Sequence, residues 1–353
     1  MWHREGATTS GKAWREWRYT VWLIFRLRSA KLLPMTTQTQ PIKQSWLVDR
    51  SPVFYGWVIW FVASIGLFAT SPGQSFSVSL FIDHYIADFN IDRTTVSSLY
   101  GLGTFIAALG LTWVGRQIDR RGNRVTSVLI AGTFAVVLIA CSFIIGPFTI
   151  FLSFIAIRGL GQGSLGLTST TIIAQWFYKR RGWVLGLSLV GFALFQRFYL
   201  PWMQNFIEVN GWRTAWIFVG LVMAFFVTPM LWIFLRNRPE DFGLLPDGEP
   251  PHRDGDDSGG DFPSIIEENW ELREALRTPI LWVFIFARML AGAWGTALIF
   301  HQISIFGELG YEASVAANTH GQAAVMTAVA TLAAGWLIDR IRPHYMIAIH
   351  MGG

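Results

Sequence analysis

The amino-acid sequence predicts an all-α, polytopic membrane protein, and three observations carry that prediction. Hydrophobic residues make up 52% of the 353 and charged residues only 14%, against about a quarter charged in soluble domains. From Phe54 onward, apolar runs near the roughly 20 residues needed to cross a bilayer alternate with short polar connectors. Lys and Arg crowd alternate connectors, as they do where cytoplasmic loops retain positive charge. The 18 Trp and 28 Phe, many near the ends of apolar runs, suit rings placed at headgroup level.

Before the first run, residues 1–34 hold seven Lys or Arg and two Glu around a short apolar patch, Tyr19 to Phe25. That patch is too short to span and lacks the small-residue site of a signal peptide. Two explanations stand: a start placed too early, with Met35 the true one, or a basic arm lying on the membrane surface. The expected organisation is an extension over 1–53, a six-helix half over 54–235, a cytoplasmic loop over 236–278 and part of a second half over 279–353.

The spans expected in order are 54–86, 94–118, 124–146, 148–176, 183–206, 213–235, 279–306 and 313–338, with a ninth starting near 344. Ser71-Pro72-Gly73 breaks the first, because Pro lacks an amide hydrogen and neighbouring helices must satisfy what the break frees. Arg116, Arg120, Arg121, Arg124, Lys179, Arg180, Arg181, Arg340 and Arg342 share one side, against Arg93 and Arg213 on the other. The N-terminus is therefore expected in the cytoplasm, with the chain in the cytoplasmic (inner) membrane. Asp247 to Pro263 is rich in Pro, Gly and Asp and reads as a solvated linker.

Composition also excludes classes. The net charge of +5 comes from clusters between apolar runs and not from a basic patch with interleaved aromatics, which argues against nucleic acid. A lone Cys141 inside an apolar run makes neither a disulfide framework nor a cysteine metal site. No acid–base pair, nucleophile constellation or metal cluster emerges, so no enzyme activity and no cofactor are expected. Gly161-x-Gly163-x-x-Gly166 has the letters of a dinucleotide fingerprint, but no strand precedes it; glycines within a span let helices approach closely.

A repeat is visible. Gly115-Arg116-Gln117-Ile118-Asp119-Arg120-Arg121-Gly122-Asn123-Arg124 follows the second span, and Gly335-Trp336-Leu337-Ile338-Asp339-Arg340 follows the eighth. Placing each after the second helix of its half gives two six-helix halves, a plan known in transporters. From residue 54 on the sequence resembles the major facilitator superfamily. The loop signature is matched at Gly115, Asp119, Arg120, Gly122 and Arg124, and Arg158-Gly159-x-Gly161-x-Gly163 is similar to the family's fourth-helix motif. Gly211-Trp212-Arg213 and Arg236-x-Arg238-Pro239-Glu240-x-x-Gly243-Leu244-x-Pro246-Asp247-Gly248 are similar to the oxalate/formate antiporter and monocarboxylate branch. Two departures stand out. Phe192-Ala193 follows Gly186–Gly191 where the drug-antiporter branch has Gly-Pro, and residues 313–338 offer His320 where the monocarboxylate branch has an Arg. The resemblance implies a six-plus-six fold, truncated here after the eighth helix and the start of the ninth. It also implies a cytoplasmic latch in the loop; a topology cluster would explain its Arg residues but not the Asp repeated at Asp339.

Ionisable groups within spans are costly and functional by default. Arg158, Arg197 and Arg288 fall in the fourth, fifth and seventh spans, while the third and sixth have none. In the resembled fold the former line a central cavity, where an Arg fork suits a carboxylate. Arg158 reads equally as a structural residue bonded to backbone or as part of a proton-linked relay, and Arg197 as one that snorkels to the surface. Gln74 and Tyr100 are candidate neutral ligand contacts, with core packing the alternative, and His320 is the proton-relay candidate. The expected function is secondary transport of a small organic anion by alternating access, through antiport or H⁺ coupling, by a monomer in the lipid bilayer. The rival reading is a truncated chain that transports nothing.

Overall fold

The computed structural model describes residues 44–248 and 272–311, with scattered helical positions between 315 and 333. Among the described residues seven helices are long and apolar enough to cross a membrane. They are α1 (Gly56–Phe89), α2 (Arg93–Arg121), α3 (Asn123–Phe143), α4 (Pro147–Trp176), α5 (Arg181–Asn210), α6 (Trp212–Phe234) and α7 (Pro279–Glu308). No strand occurs among these residues. The eighth expected span falls on the scattered positions, and the ninth lies outside the described residues.

The helices outlast the apolar runs, and local capping chemistry explains where they stop. Asp92 precedes α2 and accepts from the Thr95 amide at 3.2 Å and from the Thr95 hydroxyl. Asn90 closes α1 in the left-handed conformation, φ 49. Gly122 and Gly211, both at φ 82, separate α2 from α3 and α5 from α6. The second and fifth spans consequently extend to Arg121 and Asn210, beyond the expected 118 and 206. At the other extreme α3 stops at Phe143, because Ile144–Gly146 form the connector to α4.

Helices α1 to α6 pack around a core whose largest rings, Trp176, Trp216, Tyr85, Phe81, Phe134, Phe154 and Phe177, are less than 2% exposed. Buried rings that carry a polar atom need a partner. The Trp216 indole donates to the Tyr85 hydroxyl at 3.0 Å while its face stacks on Phe81 at 4.2 Å. Gly211-Trp212-Arg213 ties the same end together: Trp212 donates to Asp88 at 2.9 Å, and Arg213 donates to the Ile144 carbonyl at 3.2 Å and lies 4.1 Å over the Trp212 ring. Small residues set the spacing of α1 against α5, where Ser188 bonds Trp60 at 2.9 Å and Ser64 at 3.0 Å. Helix α7 packs against the second part of α1.

Gly122 meets two constraints at once, since its φ favours glycine and an added Cβ would lie 2.5 Å from the Asn237 side chain. Gly122→Ala is expected to cost at least about 1 kcal/mol of stability, read as a lowered thermal midpoint of the purified protein. The Thr95 bonds hold the Asp92 carboxyl below its ordinary value, so their contribution is present at neutral pH and is lost as pH falls through that lowered value. Asp92→Asn should therefore melt earlier than the parent at pH 7, and the gap should narrow as pH falls below the ordinary carboxylate range.

Candidate functional site: a buried arginine at a broken helix

Helix α1 is two helices joined by a 3₁₀ turn, Ser71–Gly73. Pro72 supplies no amide, and Gln74 is extended at φ −85, ψ 152, so the helix restarts at Ser75. Two tight bonds hold the turn: the Gly73 amide to the Thr70 carbonyl at 2.9 Å, and the Gln74 amide to the Ser71 carbonyl at 3.0 Å. The break lies against α4 backbone to backbone. A Cβ on Gly73 would sit 2.4 Å from the Ile157 carbonyl oxygen and 3.1 Å from the Gly161 Cα, which only glycine allows. The glycine run of α4 is thus helical and serves close approach, as read from the sequence.

Arg158 opens a π-helical segment of α4, Arg158–Leu165, in which the Ser164 hydroxyl bonds back to the Gly159 carbonyl at 2.7 Å. Arg158 is 7% exposed. Nη1 donates to the freed Gly73 carbonyl at 3.0 Å and to Ser75 Oγ at 3.4 Å, and Nε donates to Thr104 Oγ1 at 3.1 Å. The Tyr100 ring lies 5.1 Å away, and the Tyr100 hydroxyl donates to the same Ser75 Oγ at 2.7 Å. Neutral oxygens solvate this cation; no carboxylate pairs with it among the described residues. Burying a charge is costly unless hydrogen bonds or an opposite charge compensate it.

Among the residues singled out from sequence, Arg158, Tyr100 and Gln74 come together at the break. The Gln74 amide donates to Thr70 Oγ1 at 3.1 Å and its side chain is half-buried. Arg197 is exposed on the face of α5 opposite to Phe195 and Tyr199, which meet α1. Arg288 lies on the exposed surface of α7. His320, Gly335, Asp339 and Arg340 lie outside the described residues. Thr104 and Ser75 belong to the Arg158 cluster and went unnoticed, because hydroxyls in a span carry no signal until the partner is placed. Gln162 is exposed on α4 next to this site, and it was hidden in the glycine run.

The loop after α2 divides by residue. Asp119 and Arg120 are exposed, and Gly115 has open space around it. Arg124 turns instead to the end of α6: its amide donates to Asn237 Oδ1 at 2.9 Å, its Nη2 to the Trp232 carbonyl at 2.6 Å, and its guanidinium lies 4.6 Å over the Trp232 ring. The last carbonyls of a helix have no partner in their own helix. Here Arg124 takes Trp232, Arg236 takes Ile233 at 2.8 Å, and the Tyr55 hydroxyl takes Phe234 at 2.8 Å. The Trp176 indole then donates to the Arg236 carbonyl at 3.1 Å.

Asp247 performs the converse job at the start of α5. Its carboxylate accepts the amides of Tyr178 at 2.9 Å, Lys179 at 2.7 Å and Arg180 at 3.2 Å, an anion at the positive end of a helix. Asp247→Ala frees three amides and should speed trypsin cleavage after Lys179, Arg180 or Arg181 severalfold, with N-terminal sequencing of the fragments as the check.

A bundle of membrane-length helices around a buried arginine defines a multi-pass membrane protein with an intramembrane polar site. The family model described as Major Facilitator Superfamily matches residues 63–353, and the chain belongs to that family. It is similar to a gallate transporter of Pseudomonas putida, 22% identical over 87% of this chain and 71% of that protein. It is also similar to a probable nitrate/nitrite transporter of Mycobacterium tuberculosis, 24% identical over 76% of this chain and 63% of that one. An oxalate:formate antiporter of Oxalobacter formigenes is 22% identical, over 72% of this chain and 57% of its own length. The chain thus spans between 57% and 71% of the length of these relatives.

Proposed function

We propose that this protein is a secondary active transporter that moves a small organic anion by alternating access, in exchange for another anion or together with H⁺. One observation supports it above the others: the Arg158 guanidinium is buried beside a broken helix with no carboxylate partner among the described residues. An anion arriving there offsets the cost of burying the cation, and its departure restores that cost, which makes the site sensitive to occupancy. The relatives are named for gallate, nitrate or nitrite, and oxalate and formate, all anions.

In this reading 54–235 forms one half, 236–278 the connection and 279–353 part of the second half. Arg197 and Arg288 contribute further positive charge to the path, Gln74 and Tyr100 neutral contacts, and His320 the proton route. The loop at Gly115, Asp119, Arg120, Gly122 and Arg124, with its repeat at Gly335, Asp339 and Arg340, works as a cytoplasmic latch. The carrier is a monomer in the cytoplasmic membrane with its N-terminus inside.

Uptake of radiolabelled carboxylates into proteoliposomes tests the proposal. The expected result is uptake of at least one carboxylate that other anions compete away and that Arg158→Gln lowers at least tenfold. Transport of a neutral sugar or a cation, without competition by any anion, overturns it.

A further inference from the structure

The end of α6 gathers more positive charge than its backbone needs. Arg124 of α3 donates through Nε and Nη2 to the Trp232 carbonyl, at 3.0 and 2.6 Å. Arg236 donates through Nη1 to the Ile233 and Leu235 carbonyls, both at 2.8 Å, and through Nε and Nη2 to Ser45 Oγ at 3.3 Å. Trp232 and Ile233 are consecutive, so the two guanidinia are fastened to neighbouring carbonyls of one helix turn. The C-terminus of a helix carries only about half a negative charge, and two full cations leave an excess of about 1.5 positive charges there. Among the described residues no carboxylate pairs with either arginine, and Arg124 Nη1 has no acceptor. Both side chains are half-buried, each with part of its surface outside the fold.

This charge lies at one end of an apolar seam. Helices α3 and α6 meet at Gly132, where an added Cβ would lie 3.9 Å from Thr228 Cγ2. Residues three and four apart share a helix face. Leu129 and Val136 therefore flank Gly132 on α3, and Phe225 and Trp232 flank Thr228 on α6. All four are exposed. The Arg124 guanidinium lies 4.6 Å over the Trp232 ring, which joins the cation to the seam directly. An exposed apolar track along two membrane-length helices takes hydrocarbon, while a pair of guanidinium forks takes phosphate. One molecule that carries both parts is a phospholipid. A zwitterionic headgroup brings its own ammonium toward two guanidinia, whereas an anionic one brings no such repulsion.

We propose that the outer seam of α3 and α6 is a binding site for an anionic phospholipid, its phosphate on Arg124 and Arg236 and an acyl chain along Leu129 and Val136. The proposal is independent of the reading of Arg158. It gives the two arginines a second role beside their bonds to the end of α6.

Native mass spectrometry of the full chain, offered equal amounts of phosphatidylglycerol and phosphatidylcholine with the same acyl chains, tests it. The quantity read is the ratio of the two lipids retained, which a loss of folded protein does not move. The parent should retain phosphatidylglycerol at least about fivefold over phosphatidylcholine. Arg124→Gln and Arg236→Gln should each lower the ratio roughly fivefold, the contribution of one cation beside a headgroup, and the second variant decides if the first does not fold. Arg116→Gln combined with Arg121→Gln removes two exposed charges outside the seam and should leave the ratio unchanged. Equal retention of both lipids by the parent overturns the proposal. So does a ratio that the Arg116 and Arg121 pair lowers as far as Arg124→Gln does, because diffuse charge then suffices. Inorganic phosphate at millimolar concentration should not displace phosphatidylglycerol; displacement overturns the lipid assignment in favour of a soluble anion.

Discussion

Inside a bilayer, a helix can be interrupted only where the protein itself takes up the backbone groups that the interruption frees, since there is no water to do so. Helix α1 breaks at Pro72, and the carbonyl of Gly73 takes its donor from another helix. Arg158 supplies that donor from α4, and the supply works only because Gly73 and Gly161 let two backbones come into contact. The same bond fixes where the guanidinium sits, and so which hydroxyls and rings surround it. Tyr100, Thr104 and Ser75 arrange themselves about a cation whose position a backbone carbonyl dictates. Structural and ligand-binding roles for Arg158 are therefore not rivals. The bond to Gly73 orders the guanidinium, and an ordered cation binds an anion at lower entropic cost.

Arginines at the end of the bundle where α2 meets α3 divide in a way that counting charges conceals. Arg116, Arg120 and Arg121 are exposed. Arg124 and Arg236 are structural, each donating to terminal carbonyls of α6. Together with Tyr55 and Trp176 they draw α1, α3, α4 and α6 onto one knot of backbone oxygens. Asp247 fastens the next stretch of chain to the start of α5. From Arg236 to Gly248 the connector is thus hydrogen-bonded to the bundle at both ends.

What could be read beforehand follows from range. Spans depend on the sum of some twenty local contributions, so composition and run length located the first seven to within a few residues. The break at Ser71-Pro72-Gly73 depends on a single missing amide and was equally legible. Arg158 stood out because a charge in an apolar run is expensive. Helix ends were harder, because Asp92, Gly122 and Gly211 set them and not hydrophobicity. Partners remote in sequence were beyond reach: nothing near Asp247 announces amides 67 to 69 residues away. The ring contacts between α1 and α5 were invisible for a related reason: Phe recurs in every span, and only the relative rotation of the two helices decides which rings meet.

The winding of α4 carries a last consequence. Between Arg158 and Leu165 the helix follows π geometry, and Gly166–Trp176 resumes the α form. A π turn holds an additional residue, so everything beyond it is rotated by about 100° relative to an uninterrupted α-helix. Helix α4 therefore has two independent phases. One presents Arg158 to Tyr100 and Thr104, and the other presents Ser169 to Gly66 and Trp176 to the end of α6. The segment acts as a reading frame for helix faces, in which the number of residues matters as much as their identity.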